Sequence, residues 1–179
     1  MSRWFLATVA LLSGTLAAGG QTTSAPEDEV MSALILGFVR YSEWPAANGE
    51  ESAPLVVCVA GRPPLVRALN HAVSGKVVQG HPLQAREVRT PPETGQCKVL
   101  FVSSGSKRSV EAMLTAVRGI PVLTIGDSDE ILQAGGMVQF FEEDGKMRFA
   151  VNLEALNRSK VNVSARLLRL GQVVRGRER

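Results

Sequence analysis

With 179 residues, 45% of them apolar and 21% charged, the chain is long enough for one well-packed domain and short for two. A formal net charge of +3 on so ordinary a composition excludes a disordered polyelectrolyte and does not call for nucleic acid. Aromatic residues make up only 5% of the chain, which argues against a base-stacking platform for single strands.

The opening segment, MSRWFLATVALLSGTLAAGGQTTSA, carries one positive charge at Arg3, an apolar stretch from Trp4 to Leu12, and then small residues. This is the layout of a cleaved secretory signal peptide, with small-x-small sites ending at Ala17 and Ala25. The apolar stretch is short for a membrane span. The chain is therefore divided into a signal peptide over 1–25, an α/β domain over 26–174 and a basic tail over 175–179.

The stretch PEDEVMSALILGFVRYSEWP reads as a helix. Glu27, Asp28 and Glu29 stand where a helix N-terminus favours negative charge. Val30, Leu34, Phe38 and Tyr41 recur at helical spacing, and Pro45 ends the run after Trp44. AANGEESA is a loop. PLVVCVAG is a buried strand, and PPLVRALNHAVSG a helix with proline at its start and glycine at its end. HPLQAREVRT alternates as a half-buried strand does. CKVLFVSSG and IPVLTIGD are further apolar strands. Between them lies SKRSVEAMLTAVRG, a helix with Ser106 as its cap. SDEILQAGG is a short helix from a Ser128 cap to Gly135.

GGMVQFFEEDGKMRFAVN has two apolar runs around Glu-Glu-Asp-Gly and reads as a β-hairpin, with Asn152 capping the helix NLEALNRSK. VSARLLRLGQVV is read as a final helix. Strands alternating with helices imply right-handed crossovers. The fold class is α/β: a single domain with a mixed, mostly parallel sheet flanked by helices and a C-terminal antiparallel hairpin.

The two cysteines, Cys58 and Cys97, lie in the apolar runs LVVCVA and CKVLFV. In an exported chain an even count favours a disulfide; two buried free thiols are the alternative. Neither cysteine has a partner at metal-ligand spacing.

Catalytic constellations are weak. VAGRPP has one glycine and two prolines where a dinucleotide loop needs G-x-G-x-x-G and free amides. His71 and His81 lack a nucleophile or acid nearby in sequence, and VSSGSKRS is not a nucleophile elbow. The chain is read as a non-enzyme without metal or cofactor. Its candidate binding residues are Tyr41, Trp44, Gly135, Gly136, Arg148, Asn152 and Arg166. Tyr41 and Trp44 are aromatic anchors or core. The glycine pair permits close backbone approach or simply ends a helix. Arg148 offers a bidentate donor to a carboxylate or phosphate, or faces solvent. Arg166 begins a basic C-terminal end that continues through Arg169 and Arg175.

FVRYSEWP, LVVCVAG, GQCKVLFV, PVLTIGD, GGMVQFFEEDGKMRFAVNL and VSARLLRL, in that order from Glu29 to Val174, resemble the YfiR family. The resemblance implies a periplasmic α/β protein without catalysis. It also implies repression of a membrane-bound diguanylate cyclase through its periplasmic region, an outer-membrane lipoprotein as a second partner, and a homodimer. Cys58 and Cys97 match the family's inter-strand disulfide; the namesake's second pair, near the hairpin, has no counterpart here. The alternative reading is a periplasmic small-ligand module that uses Arg148 and the glycine pair.

Overall fold

The computed structural model describes residues 24–45, 53–103 and 105–174. The predicted signal peptide up to residue 23 and the basic tail lie outside the described residues.

Helix α1 (Ser24–Arg40) is followed by a two-residue strand β1 (Ser42–Glu43), then β2 (Leu55–Ala60), α2 (Pro63–Val73), β3 (Val77–Val78) and β4 (His81–Glu87). A 3-10 turn (Pro91–Gln96) leads to β5 (Val99–Val102), α3 (Lys107–Ala116), β6 (Leu123–Gly126) and α4 (Asp129–Gln133). The hairpin β7 (Val138–Glu143) and β8 (Lys146–Asn152) follows. The chain ends on α5 (Leu153–Arg158), β9 (Asn162–Val163), α6 (Ala165–Leu168) and β10 (Gln172–Val174).

Eight strands form one sheet in the order β10-β8-β7-β6-β5-β2-β4-β3. The central five, β4, β2, β5, β6 and β7, are parallel; β8 runs against β7, and β10 runs parallel to β8. Every residue of β2, β5 and β6 is buried. That is the expected result when helices cover both faces of a parallel sheet.

Alternation assigns the two faces. Val57, Val59, Phe101, Leu123, Ile125 and Val151 pack with Ile35 and Phe38 of α1 and Leu65 and Leu69 of α2. Val56, Cys58, Leu100 and Val102 pack on the opposite side with Val110 and Met113 of α3 and Ile131 of α4. From β2 the chain moves outward to β4 and then returns past β2 to β5, so the layer covered by its connections changes. The loops after β2 and β5 therefore face each other at the carboxyl ends of adjacent strands, the switch point of an open α/β sheet.

Several sequence readings differ from the structure. α1 ends at Arg40 rather than Trp44, because Ser42 and Glu43 pair with Val163 and Asn162 of β9. Its buried stripe is Met31, Ile35, Phe38 and Val39, while Val30 and Tyr41 are 46% and 50% exposed. The predicted final helix shrinks to four residues, and Gln172–Val174 joins the sheet instead. Ser106 caps α3 as predicted, accepting from the Ser109 amide. Ser128 makes no cap bond to α4; its hydroxyl donates first to the Glu130 carboxylate, holding that acid below the usual carboxylate range.

Cys58 and Cys97 form a disulfide with their Cα atoms 5.7 Å apart. Cys97 ends the 3-10 turn two residues before β5, so the bond ties β2 to the turn that enters its neighbour. Arg86, in register with Cys58, steadies that turn. Its guanidinium donates to the Glu93 carbonyl at 2.8 Å and to Gln96 Oε1 at 3.3 Å. The bond closes a loop across a sequence separation of 39 residues. Its removal in Cys58→Ser is expected to cost about 4 kcal/mol on the chain-entropy account. Urea unfolding of the variant and the wild type, each with and without reductant, measures it. Reductant should lower only the wild type, bringing it to the variant's midpoint.

Candidate interaction surface

The tightest charged cluster sits at the switch point, on a residue the sequence reading passed over. Arg62, two residues beyond β2, reaches three carboxylates: Asp28 at 2.6 Å, Asp127 at 3.1 Å and Glu27 at 3.3 Å. Asp127 follows β6 and also accepts from the Ser103 hydroxyl, just beyond β5, at 2.8 Å. The side chains of Asp28 and Asp127 are only 4% and 7% exposed. The guanidinium's planar fork lets one cation serve several acceptors at once. Partial burial opposes its charge. The hydrogen bond and charge of Asp28, then Glu27 and Asp127, outweigh that cost and raise its pKa above the ordinary arginine value. The cluster therefore pins the first turn of α1 to the ends of β2, β5 and β6.

At its other end α1 is held by different means. Trp44 is half-buried against the larger core, and its indole N–H donates to the Lys98 carbonyl, 3.0 Å away at the entry to β5. Tyr41 is exposed, but its backbone carbonyl accepts from the Ser164 amide at 2.8 Å. Ser164 caps α6, so exposed Tyr41 and exposed Arg166 emerge from one backbone junction. The structure brings those two candidates together and does not add the others to them.

Gly135 has φ +88 and follows the last turn of α4. The Gly135 amide donates to the Leu132 carbonyl and the Gly136 amide to the Ile131 carbonyl, at 3.1 and 2.7 Å. This is a Schellman closure, and the left-handed residue is where glycine is favoured. A Cβ on Gly136 would lie 2.7 Å from Ile131 atoms. Asn152 is buried and accepts from the Ala155 amide at 3.0 Å, capping α5 as predicted. Arg148 lies on the hairpin, about half exposed, 3.7 Å from Glu143. The hairpin turns at Asp144 and Gly145, both with positive φ, as a two-residue Asp-Gly turn requires.

A shallow cavity of about 300 Å³ lies beside the disulfide, lined by Arg86, Glu87, Glu93 and Gln96 among others. Most of its polar groups are engaged: the terminal nitrogens of Arg86 hold the 3-10 turn, although its buried Nε has no hydrogen-bond partner, Glu87 binds Arg89, and Glu93 accepts from the Thr90 hydroxyl. Among the described residues there is no cluster of three metal-ligating side chains, and no helix is long and apolar enough to cross a membrane.

Residues 28–172 match the YfiR/HmsC-like family. The chain belongs to that family. It is a family of periplasmic proteins that regulate cyclic-di-GMP signalling, with a regulatory rather than catalytic character. Among solved structures, a conserved domain protein from Vibrio cholerae is similar with a TM-score of 0.55 at 10% identity, covering 82% of this chain and 59% of that one. An ABC domain in complex with L-Trp from Streptococcus pneumonia has a TM-score of 0.50 at 8% identity, covering 67% of this chain and 55% of that one. At such identities the likeness is one of fold. This YfiR/HmsC-like chain spans less than two thirds of either structure.

Replacing Arg62 with Met should leave two buried carboxylates without their shared cation. The expected loss is about 3 kcal/mol in urea unfolding. Arg62→Lys should retain most of that loss, because an ammonium group lacks the fork that reaches several acceptors.

Proposed function

We propose that this YfiR/HmsC-like protein is exported to the periplasm, binds the periplasmic region of a membrane-bound diguanylate cyclase and represses it, lowering cyclic-di-GMP. The observation that carries the reading is the family match, which extends over residues 28–172 and so takes in the whole sheet except the last two residues of β10. An outer-membrane lipoprotein that sequesters the repressor is the second partner in this scheme.

Tyr41 and Arg166 support a role in contact with a partner. Aromatic and arginine side chains dominate the energetics of interfaces, and both of these are exposed beside one anchored junction. The small-ligand alternative draws less support. Gly135 and Gly136 close a helix, and Arg148 faces Glu143 across the hairpin.

Deleting the gene should raise cellular cyclic-di-GMP, and deleting a neighbouring membrane cyclase as well should abolish the rise. A chain carrying Arg166→Glu should fail to restore repression while keeping the wild-type melting temperature. An unchanged cyclic-di-GMP level in the single deletion, under oxidising and reducing conditions alike, would overturn the proposal.

A further inference from the structure

The C-terminal part of the chain is basic beyond the needs of the fold. Between Glu154 and Glu178 the sequence has six basic residues and no acidic one, whereas in the rest of the chain acids outnumber bases. α6 and the turn after it are one-sided. Leu167 and Leu168 pack against the larger core, while Arg166, Arg169 and Leu170 are exposed. These three stand at positions i, i+3 and i+4 of one turn and so share its outer side. Leu170 is 74% exposed, more than any other large apolar side chain among the described residues, and Val173, three residues on, is 56% exposed. The Ser164 junction brings exposed Tyr41 beside α6, with exposed Arg40 next to it in the chain.

These cations lack counter-charges. Among the described residues no carboxylate engages Arg40, Arg166 or Arg169; Arg169 Nε donates to the Ala165 carbonyl at 3.3 Å, within α6 itself. The acids nearest in the fold have other partners: Glu43 accepts from Asn162, and Glu143, which also accepts from Gln172, lies against Arg148. The apolar members are single side chains set among cations. They form no contiguous apolar centre of the kind that a stable protein interface buries. A fluid bilayer needs no complementary shape. Arginines can meet lipid phosphates, a protruding leucine can enter the acyl boundary, and tyrosine suits the level between them, with its ring apolar and its hydroxyl wet.

We propose that the outer side of α6, with Arg166, Arg169 and Leu170 at its centre and Tyr41 at its margin, docks on an anionic phospholipid surface. The inference goes beyond the cyclase reading and does not rest on it, since its test contains lipid and this chain alone. Arg166 is shared between the two readings; Arg169 and Leu170 are not. The contact is small and mostly electrostatic, so it is expected to be weak, reversible and sensitive to salt. It would confine the protein to the plane of a membrane without inserting it.

Co-sedimentation of the purified chain, without its predicted signal peptide, tests this with vesicles of phosphatidylglycerol and phosphatidylethanolamine and with vesicles of phosphatidylcholine alone. Binding is expected to the anionic vesicles alone, present at about 0.1 M salt and lost near about 1 M, where the Debye length falls from about 10 to about 3 Å. Arg166→Glu with Arg169→Glu should weaken it at least about 25-fold, about fivefold for each arginine removed. Leu170→Ser should weaken it about tenfold through lost apolar burial. Arg67→Glu with Arg108→Glu, at exposed arginines of α2 and α3, changes the net charge equally and should bind as wild type does. All of these positions are exposed, so the melting temperature should not move. A wild type that ignores the anionic vesicles would overturn the proposal; if the Arg166 and Arg169 pair then still mattered for repression in cells, the patch would serve an acidic face of a protein. Equal loss in the α2–α3 control would also overturn it, by assigning the attraction to net charge, as would undiminished binding by the Arg166 and Arg169 variant.

Discussion

Strand β2 sends six side chains alternately to two faces, and all six are buried. A strand so placed must be covered twice, and the architecture follows from that demand. α3 and α4 cover one face, with the disulfide beside them. The other face needs a broader lid, because it extends from β2 across to the hairpin. α1 supplies much of it: Phe38 packs edge-on against Phe149 at 5.1 Å between ring centroids, and Met31, Ile35 and Val39 join the same core. Without α1 the aromatic floor of β5, β7 and β8 would be open to water.

A helix that covers one face of a sheet must be held in place along it, and here its two ends are fixed by polar devices rather than by apolar area alone. Arg62 gathers the adjacent Glu27 and Asp28 of α1 and Asp127 after β6, so that the cluster joins three separate parts of the chain. Trp44 donates to Lys98, and β1 pairs with β9. A buried ion pair of this kind adds little net stability over a well-packed apolar alternative, but it tolerates few alternative arrangements. Its effect is geometric. It sets the position of α1 along the sheet, and so determines which residues of α1 face out.

The switch point, where many α/β sheets bind ligands, is here filled by the protein's own charges. Pro63 and Pro64 remove amide donors from the start of α2, and Arg62 is engaged by carboxylates of the chain. A site that would take an anion in a binding protein has become a structural tie. This accords with the regulatory character of the family: the parts left available are surfaces, among them the face of α1, the junction of Tyr41 and Arg166, and the edge strand β10 with Val173 56% exposed.

The sequence by itself determined what depends on local pattern. The apolar runs around Cys58, Phe101 and Ile125, the Asp-Gly turn, the Asn152 cap and the order of strands and helices were all legible, because periodicity and turn chemistry act over a few residues. The ordered motifs also carried the family. The tertiary structure decided what depends on long-range partners. Ser42–Glu43 and Gln172–Val174 became strands only because β9 and β8 lie beside them, and no local signal marks a two- or three-residue strand. The rotation of α1 by about one residue, which exposed Val30 and Tyr41, was set by an anchor at Arg62, 34 residues from Asp28 in the chain. A helix that is apolar on all sides does not specify which side is buried; the sheet and the ion cluster supply that choice.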